Sequence, residues 1–370
     1  MVFAIVPLSS MGDRISDRRD KIMNFINREI ESDSPGIQYV VVTHDSTLWN
    51  YVGGFASISP ARPLQESTTM MIYSMTKTIT AAAILQLVDD GKISLDDPIS
   101  KYLADIPYTS EITIRHLLSQ TSGIPNPVPL KWVHLVEEHS NFDDHLALQS
   151  ILKQYPELKF TPGMKCAYSN ISYWLLGEII KKISGIRYED YVRQNIFRRL
   201  QIPDSEIDFL IPVEENHSKG YLPRWSLMNL LKSFVIDKKF IGEYEDKWLR
   251  TNDHYLNGPA FGGVVASAEA ISIFLRDMLS DHSRLFSAKT KQLFFEQQKS
   301  NDGKKIEMTL GWHMGNFNGI QYFYKEGGGG GFHSEMRIYP KQRTASVVIS
   351  NNTSYDVKKF LNIADKEFIR

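Results

Sequence analysis

Apolar and polar positions alternate with different periods along the chain, and the changes of period divide it into three stretches. Residues Ile15 to Ile30 mix apolar and charged side chains at helical spacing, as an amphipathic helix would. Ile37 to Thr43 and Thr47 to Ala56 are β-rich runs joined by the polar link His44-Asp45-Ser46, which predicts an antiparallel hairpin rather than a βαβ crossover. From Thr76 to Asp90 the period turns helical, with Gly91 placed to end the helix. The middle of the chain is mostly helical pattern broken by proline and glycine, including Ile171 to Ile183 and Tyr188 to Leu200. Strand character returns in Leu310 to Phe317, Gly319 to Lys325, Ser334 to Tyr339 and Thr344 to Ser350, and a closing helix is expected from Tyr355 to Phe368. Strands at both ends with helices between them predict an α+β fold: an antiparallel β-sheet built from both termini and flanked by helices, with a mostly helical domain inserted. On this reading 1–73 and 259–370 form the sheet domain and 74–258 the helical one.

Composition narrows the function without choosing it. The 370 residues are 42% hydrophobic and 23% charged, which is ordinary for a globular chain able to bury a sizeable core. A formal net charge of -1 points to no nucleic-acid or anionic-membrane partner. No apolar run approaches the ~18 residues of a membrane span. The opening MVFAIVPLSS has no basic residue before its apolar stretch, so a cytoplasmic location is favoured, or an exported one if a leader is missing. The single cysteine, Cys166, rules out an internal disulfide framework; it lacks an evident base and reads as a small buried residue. His116, His134, His139, His145, His217 and His254 lack metal-ligand spacing, so no metal or other cofactor is expected; His333 is a neighbour of the glycine run. There is no Gly-x-Ser-x-Gly elbow.

Three short patterns carry chemistry. In Ser74-Met75-Thr76-Lys77, residues three apart share a helix face, so the lysine amine can reach the serine hydroxyl and take its proton. The same residues equally fit a helix-capping serine with a solvated lysine, and Ser150-Ile151-Leu152-Lys153 repeats the pattern by chance. Tyr168-Ser169-Asn170 follows Thr161-Pro162-Gly163 on a loop that can present a phenol and an amide side by side. Two nearby lysines would favour the phenolate and make Tyr168 a candidate general base; a packed tyrosine is the plainer alternative. Lys325-Glu326-Gly327-Gly328 ends a strand and opens a turn of five glycines, where a main-chain N–H can face an oxyanion. Lys325 would also help keep Lys77 neutral, whereas a flexible hairpin is the ordinary reading of a glycine run.

In this order the patterns resemble the β-lactamase and penicillin-binding-protein superfamily, and Tyr-x-Asn makes the chain look like its class C β-lactamase, D-aminopeptidase and esterase branch. LVDDGKISLDDP (Leu87 to Pro98), IRHLLSQTSG (Ile114 to Gly123), TPGMKCAYSNISYWLLG (Thr161 to Gly177) and GGVVASA (Gly262 to Ala268) extend the likeness over roughly residues 35 to 350. The resemblance implies that Ser74 attacks the carbonyl and that Lys77 and Tyr168 share the proton shuttle beside Lys325. It implies that the backbone N–H groups of Ser74 and Gly328 hold the oxyanion, and that Asn170, Glu326 and Gly327 meet the substrate, a small molecule or short peptide.

Two departures qualify this expectation. Glu326 stands where many members carry a hydroxyl residue that helps bind a substrate carboxylate. Its charge would repel such a group by about 1 to 4 kcal/mol, which predicts poor β-lactam turnover and preference for an uncharged ester or amide. The alternative is that Glu326 turns away and pairs with a cation. The stretch 221–258 looks like an insertion rich in Trp225, Leu230, Phe240, Tyr244, Trp248 and Tyr255. It reads either as an extra helical hairpin on the surface or as a wall lining an acyl pocket. A catalytically weak scaffold or ligand-binding protein with this fold, or a β-lactamase or D,D- or D-amino peptidase acting on peptide-like substrates, are the competing functions, and the oligomeric state is open.

Overall fold

The computed structural model describes residues 20–26, 33–127, 132–226, 229 and 237–369. Its frame is a six-stranded antiparallel sheet in the order His313–Phe317, Ile320–Gly328, His333–Tyr339, Thr344–Ser350, Ile37–Val42, Thr47–Gly53. The N-terminal hairpin joins the C-terminal strands by pairing Ile37–Val42 with Thr344–Ser350, Val40 opposite Val347. These two inner strands read IQYVVV and TASVVIS, apolar nearly throughout, because both faces of the sheet are covered. Val40, Val347 and Ile349 face the larger apolar cluster, which includes the Ala268–Leu279 helix. Tyr39, Val41 and Val348 face a second cluster with the Val357–Ala364 helix and with Ile22 and Ile26. Residues 20–26 are helical, and the rest of the helix expected over Ile15 to Ile30 lies outside the described residues.

The Thr76–Asp89 helix runs through the larger cluster, and every residue from Thr76 to Leu87 is buried. A helix enclosed on all sides shows no polar stripe, and this one has none. Small side chains allow the close approach: a Cβ on Gly311 would lie 2.7 Å from that of Ala81. The same cluster takes in Ile171 to Ile180 of the Asn170–Ser184 helix and residues of the sheet, so segments on both sides of residue 74 share one core. Among the described residues no helix is long and apolar enough to cross a membrane.

Three expectations are corrected. The helix expected from Tyr188 to Leu200 is helical only over Tyr188–Val192 and then widens into a π turn at Arg193–Phe197. The glycine run is not all turn: Gly327 and Gly328 continue the strand, opposite Ser334 and His333. The described part of 221–258 forms strands rather than a helical hairpin. Gly220–Pro223, Trp248–Thr251 and Ile241–Glu245 make a three-stranded sheet, and His254–Leu256 pairs with Val133–Leu135. Residues 227, 228 and 230–236 lie outside the described residues.

A buried polar network locks the closing helix to the sheet. Asp365 accepts hydrogen bonds from Tyr39 Oη, Tyr339 Oη and Ser346 Oγ, each at 2.7 Å. Replacing Asp365 with alanine leaves three buried hydroxyls without their acceptor, at about 1 kcal/mol each. Asp365→Ala is therefore expected to lose about 2–4 kcal/mol in urea denaturation, with Asp365→Asn recovering part of it.

Candidate active site

The Tyr73–Met75 turn leads straight into the Thr76–Asp89 helix, which places Ser74 one turn before Lys77. Tyr73 holds φ at +44°, in the left-handed region that costs a non-glycine residue about 1–2 kcal/mol. Such strain persists only where the surroundings impose it. Here the ring is buried, its hydroxyl donates to Gly330 O at 2.7 Å and lies 3.2 Å from His254 Nε2. A Cβ on Gly329 would sit 2.5 Å from that ring, so glycine is required there by close approach.

Lys77 is fully buried and joins three chain segments. Its Nζ lies 3.0 Å from Ser74 Oγ, 2.7 Å from Asn170 Oδ1 and 2.5 Å from the Phe261 carbonyl oxygen. Ser74 Oγ is in turn 2.6 Å from Tyr168 Oη. Tyr168 is held from both sides by Gln120, whose carbonyl accepts from Ala167 N at 2.8 Å and whose Oε1 accepts from Ser169 N at 2.6 Å. Ser169 caps the Asn170–Ser184 helix, which fixes Asn170 at its first turn. Four of the residues singled out by pattern, Ser74, Lys77, Tyr168 and Asn170, thus meet at one point. Ser150 and Lys153 of the repeated pattern are exposed on the Asp144–Gln154 helix.

Lys325 stands on the neighbouring strand, 1% exposed, with Nζ 3.4 Å from His313 Nε2 and 5.3 Å from the Tyr168 ring centre. Strand alternation sends Lys325 and Gly327 inward and Glu326 outward. Gly327 tolerates no side chain, since its Cβ would meet Ile72 O at 2.1 Å and Ser74 N at 3.0 Å. That approach sets the Ser74 N–H beside the strand that carries Gly328.

Burial pushes the Lys77 amine well below the ordinary lysine range, and the Lys325 charge adds to it. Burial likewise brings Lys325 down to about 7. Burial also drives His313 far down, reinforced by both lysines. The expectation of a charge-favoured phenolate at Tyr168 is overturned. Burial raises its pKa well above the ordinary phenol range and outweighs the effect of the hydrogen bond it shares with Ser74; the Glu326 charge raises it further. Desolvation penalises an isolated phenolate, and neither lysine offsets that cost.

Glu326 is corrected as a substrate contact. Its side chain is 48% exposed, and Oε1 lies 2.8 Å from His333 Nε2. His333 Nδ1 faces the Tyr355 carbonyl oxygen at 2.6 Å. Both ring nitrogens therefore face acceptors, the pattern of an imidazolium. Burial lowers the His333 pKa, but the bond and charge of Glu326 outweigh it and hold it above the ordinary value. Cys166, expected to be buried, is exposed.

Ser74, Tyr168, Asn170 and Gly328 open onto a cavity of about 540 Å³. Residues of the strands between Gly220 and Leu256, among them Leu222, Ile241, Leu249 and Leu256, form its wall. Pattern reading missed Tyr73, Asn126, His254 and His313. No motif marks them; only His313 carries a signal, because strand pairing sets it opposite Tyr324, next to Lys325.

The depressed Lys325 pKa has a consequence for stability. Between about pH 7 and 10.5 the unfolded chain binds a proton there that the folded chain does not, so stability rises with pH across that window. Lys325→Met should remove the cost: the melting temperature rises, by more at pH 6 than at pH 9.

With this geometry in place, a family model described as Beta-lactamase matches residues 17–367. Penicillin-binding protein 4* of Bacillus subtilis (strain 168) is 26% identical over 326 residues, covering 84% of this chain and 67% of that protein. Acyltransferase calJ of Penicillium decumbens is 26% identical over 284 residues, covering 71% of this chain and 65% of that one. The chain thus spans about two thirds of the length of these curated relatives. Among solved structures, D-amino acid amidase from Ochrobactrum anthropi SV3, complexed with L-phenylalanine, shares the fold with a TM-score of 0.78 at 18% identity, covering 94% of this chain and 98% of that one. The chain belongs to the Beta-lactamase family, a family of serine hydrolases.

Proposed function

We propose that this protein hydrolyses uncharged esters or amides through an acyl-enzyme on Ser74. The observation that carries the reading is the buried contact of Lys77 Nζ with Ser74 Oγ at 3.0 Å, flanked by two oxygens at 2.7 and 2.5 Å. Asn170 Oδ1 and the Phe261 carbonyl oxygen can only accept, and together they take both N–H bonds of a neutral amine. The lone pair is left facing the Ser74 hydroxyl, so Lys77 is the general base and Tyr168, a neutral phenol, donates to Ser74 Oγ.

In the acylation step Ser74 Oγ bonds to the substrate carbonyl carbon and its proton passes to Lys77 Nζ. The oxyanion is met by the main-chain N–H groups of Ser74 and Gly328. As the tetrahedral intermediate collapses, the bond to the leaving group breaks, and that group takes a proton relayed through Tyr168. Water then repeats the sequence on the acyl-enzyme and restores the serine. Lys325 contributes by raising the cost of a charge on Lys77.

A β-lactam or D-amino peptide substrate is the second reading, and one observation favours it. The Glu326 charge is paired with His333, which offsets part of the repulsion expected against a substrate carboxylate.

The test is turnover of p-nitrophenyl acetate and nitrocefin together with fluorophosphonate labelling. Ester turnover and labelling that both vanish in Ser74→Ala support the reading, and nitrocefin turnover of similar efficiency selects the second one. Absence of labelling and of turnover in the wild type would overturn both. Tyr168→Phe is expected to lower kcat by about 10²–10⁴-fold while labelling slows but persists.

The pH profile supplies a separate check. Lys77 acts only as the neutral amine, so kcat/KM for the acetate ester should fall as pH drops and Lys77 is protonated. Lys325→Met removes the neighbouring positive charge and should move that limb to higher pH.

A further inference from the structure

We infer that the inserted strands give this site a specificity for lipophilic acyl groups, an inference that rests on the acyl-enzyme reading and names its substrate class. The cavity beyond Ser74 has a volume of about 540 Å³, within the range that encloses a small organic ligand. Val133, Leu222, Phe240, Ile241, Leu249 and Leu256 supply its apolar surface.

Most of the polar side chains lining the same cavity have partners within the protein, Arg250 through one of its two Nη atoms. Arg250 Nη1 is 3.2 Å from Glu245 Oε1, and the other Glu245 oxygen accepts from Tyr221 Oη and Ser59 N. Thr251 Oγ1 donates to Gly220 O and Thr353 Oγ1 to Gly329 O. His254 is held between the Asn252 carbonyl and Tyr73 Oη, and His333 between the Tyr355 carbonyl and Glu326. A polar or charged substrate tail would enter here and find few groups left to replace the water it gives up.

The polar groups still available lie at the other end. Asn170 Oδ1 is taken by Lys77 and Asn126 Oδ1 by Asn170 N, which leaves both side-chain amide nitrogens to the cavity beside Ser74. The ester or amide group is therefore recognised at that end, and the apolar space receives what is attached to it. That part is the acyl group rather than the leaving group. The leaving group departs past Tyr168, towards Lys325 and His313, and neither of these lines the cavity.

The experiment is a chain-length series of p-nitrophenyl esters from acetate to dodecanoate. Each added methylene is expected to raise kcat/KM about threefold until the cavity is filled. Ile241→Trp, which places an indole in the half-buried wall, should cut the octanoate-to-acetate ratio by at least tenfold. A flat series in an enzyme that turns over acetate through Ser74 overturns the inference and leaves the acyl-enzyme reading standing. A second arm does not depend on catalysis or on the folding of a wall variant. Ser74→Ala is titrated calorimetrically with butanamide, hexanamide and octanamide. Affinity that climbs with length supports the acyl pocket even if no ester is turned over, and affinity independent of length overturns it.

Discussion

The site is organised around a lysine amine sealed inside the protein that, among the described residues, has no carboxylate beside it. Lys77 comes from the central helix, Asn170 from the start of a second helix and the Phe261 carbonyl from the turn before Gly262. Each partner offers an oxygen and none offers a compensating charge. Burial then favours the neutral amine, and Lys325 strengthens the bias. The same three contacts that satisfy the amine also fix which way its lone pair points. Stability and chemistry are opposed here: a folded state that keeps two lysines out of water gives up part of the stability that hydrophobic residues of the same size would supply.

The second constraint is steric. The strand that carries Lys325 passes so close to the Ser74 turn that a single methyl on Gly327 would strike the Ile72 carbonyl. Glycine permits this contact, and the turn answers it with the left-handed Tyr73, pinned through its hydroxyl to Gly330. Strand and turn thereby bring the Gly327 backbone against the main-chain N of Ser74 with no side chain between them. The glycines that look like flexibility in the sequence act here as room for close packing.

The inserted strands change what surrounds this apparatus rather than the apparatus itself. They add a β wall on one side of Ser74, anchored through Tyr221 and Glu245 to residues near Ser59. Because the ion pairs and hydroxyl bonds of that wall close on themselves, its inner surface is left apolar.

The sheet built from both termini, the central helix and Ser74, Lys77, Tyr168 and Asn170, which converge, were legible in the sequence. Their signals are local: the period of apolar positions, the glycine after a helix, and Ser74 three residues before Lys77 on one helix face. It also set the alternation that sends Glu326 away from Lys325, although the pattern alone left open which face was the inner one. Tertiary structure decided the protonation preferences, because burial raises the Tyr168 pKa, with the Glu326 charge acting in the same direction, and no window of sequence records burial. It decided the pairing of Glu326 with His333 and the exposure of Cys166. It decided that 221–258 contributes strands to a cavity wall, since short apolar runs fit a helix or a strand equally well until their partners, Val133–Leu135 and Gly220–Pro223, are brought alongside. Local periodicity reports what a segment can become, and long-range contacts choose among those outcomes, because the energies of burial and pairing exist only once distant segments meet.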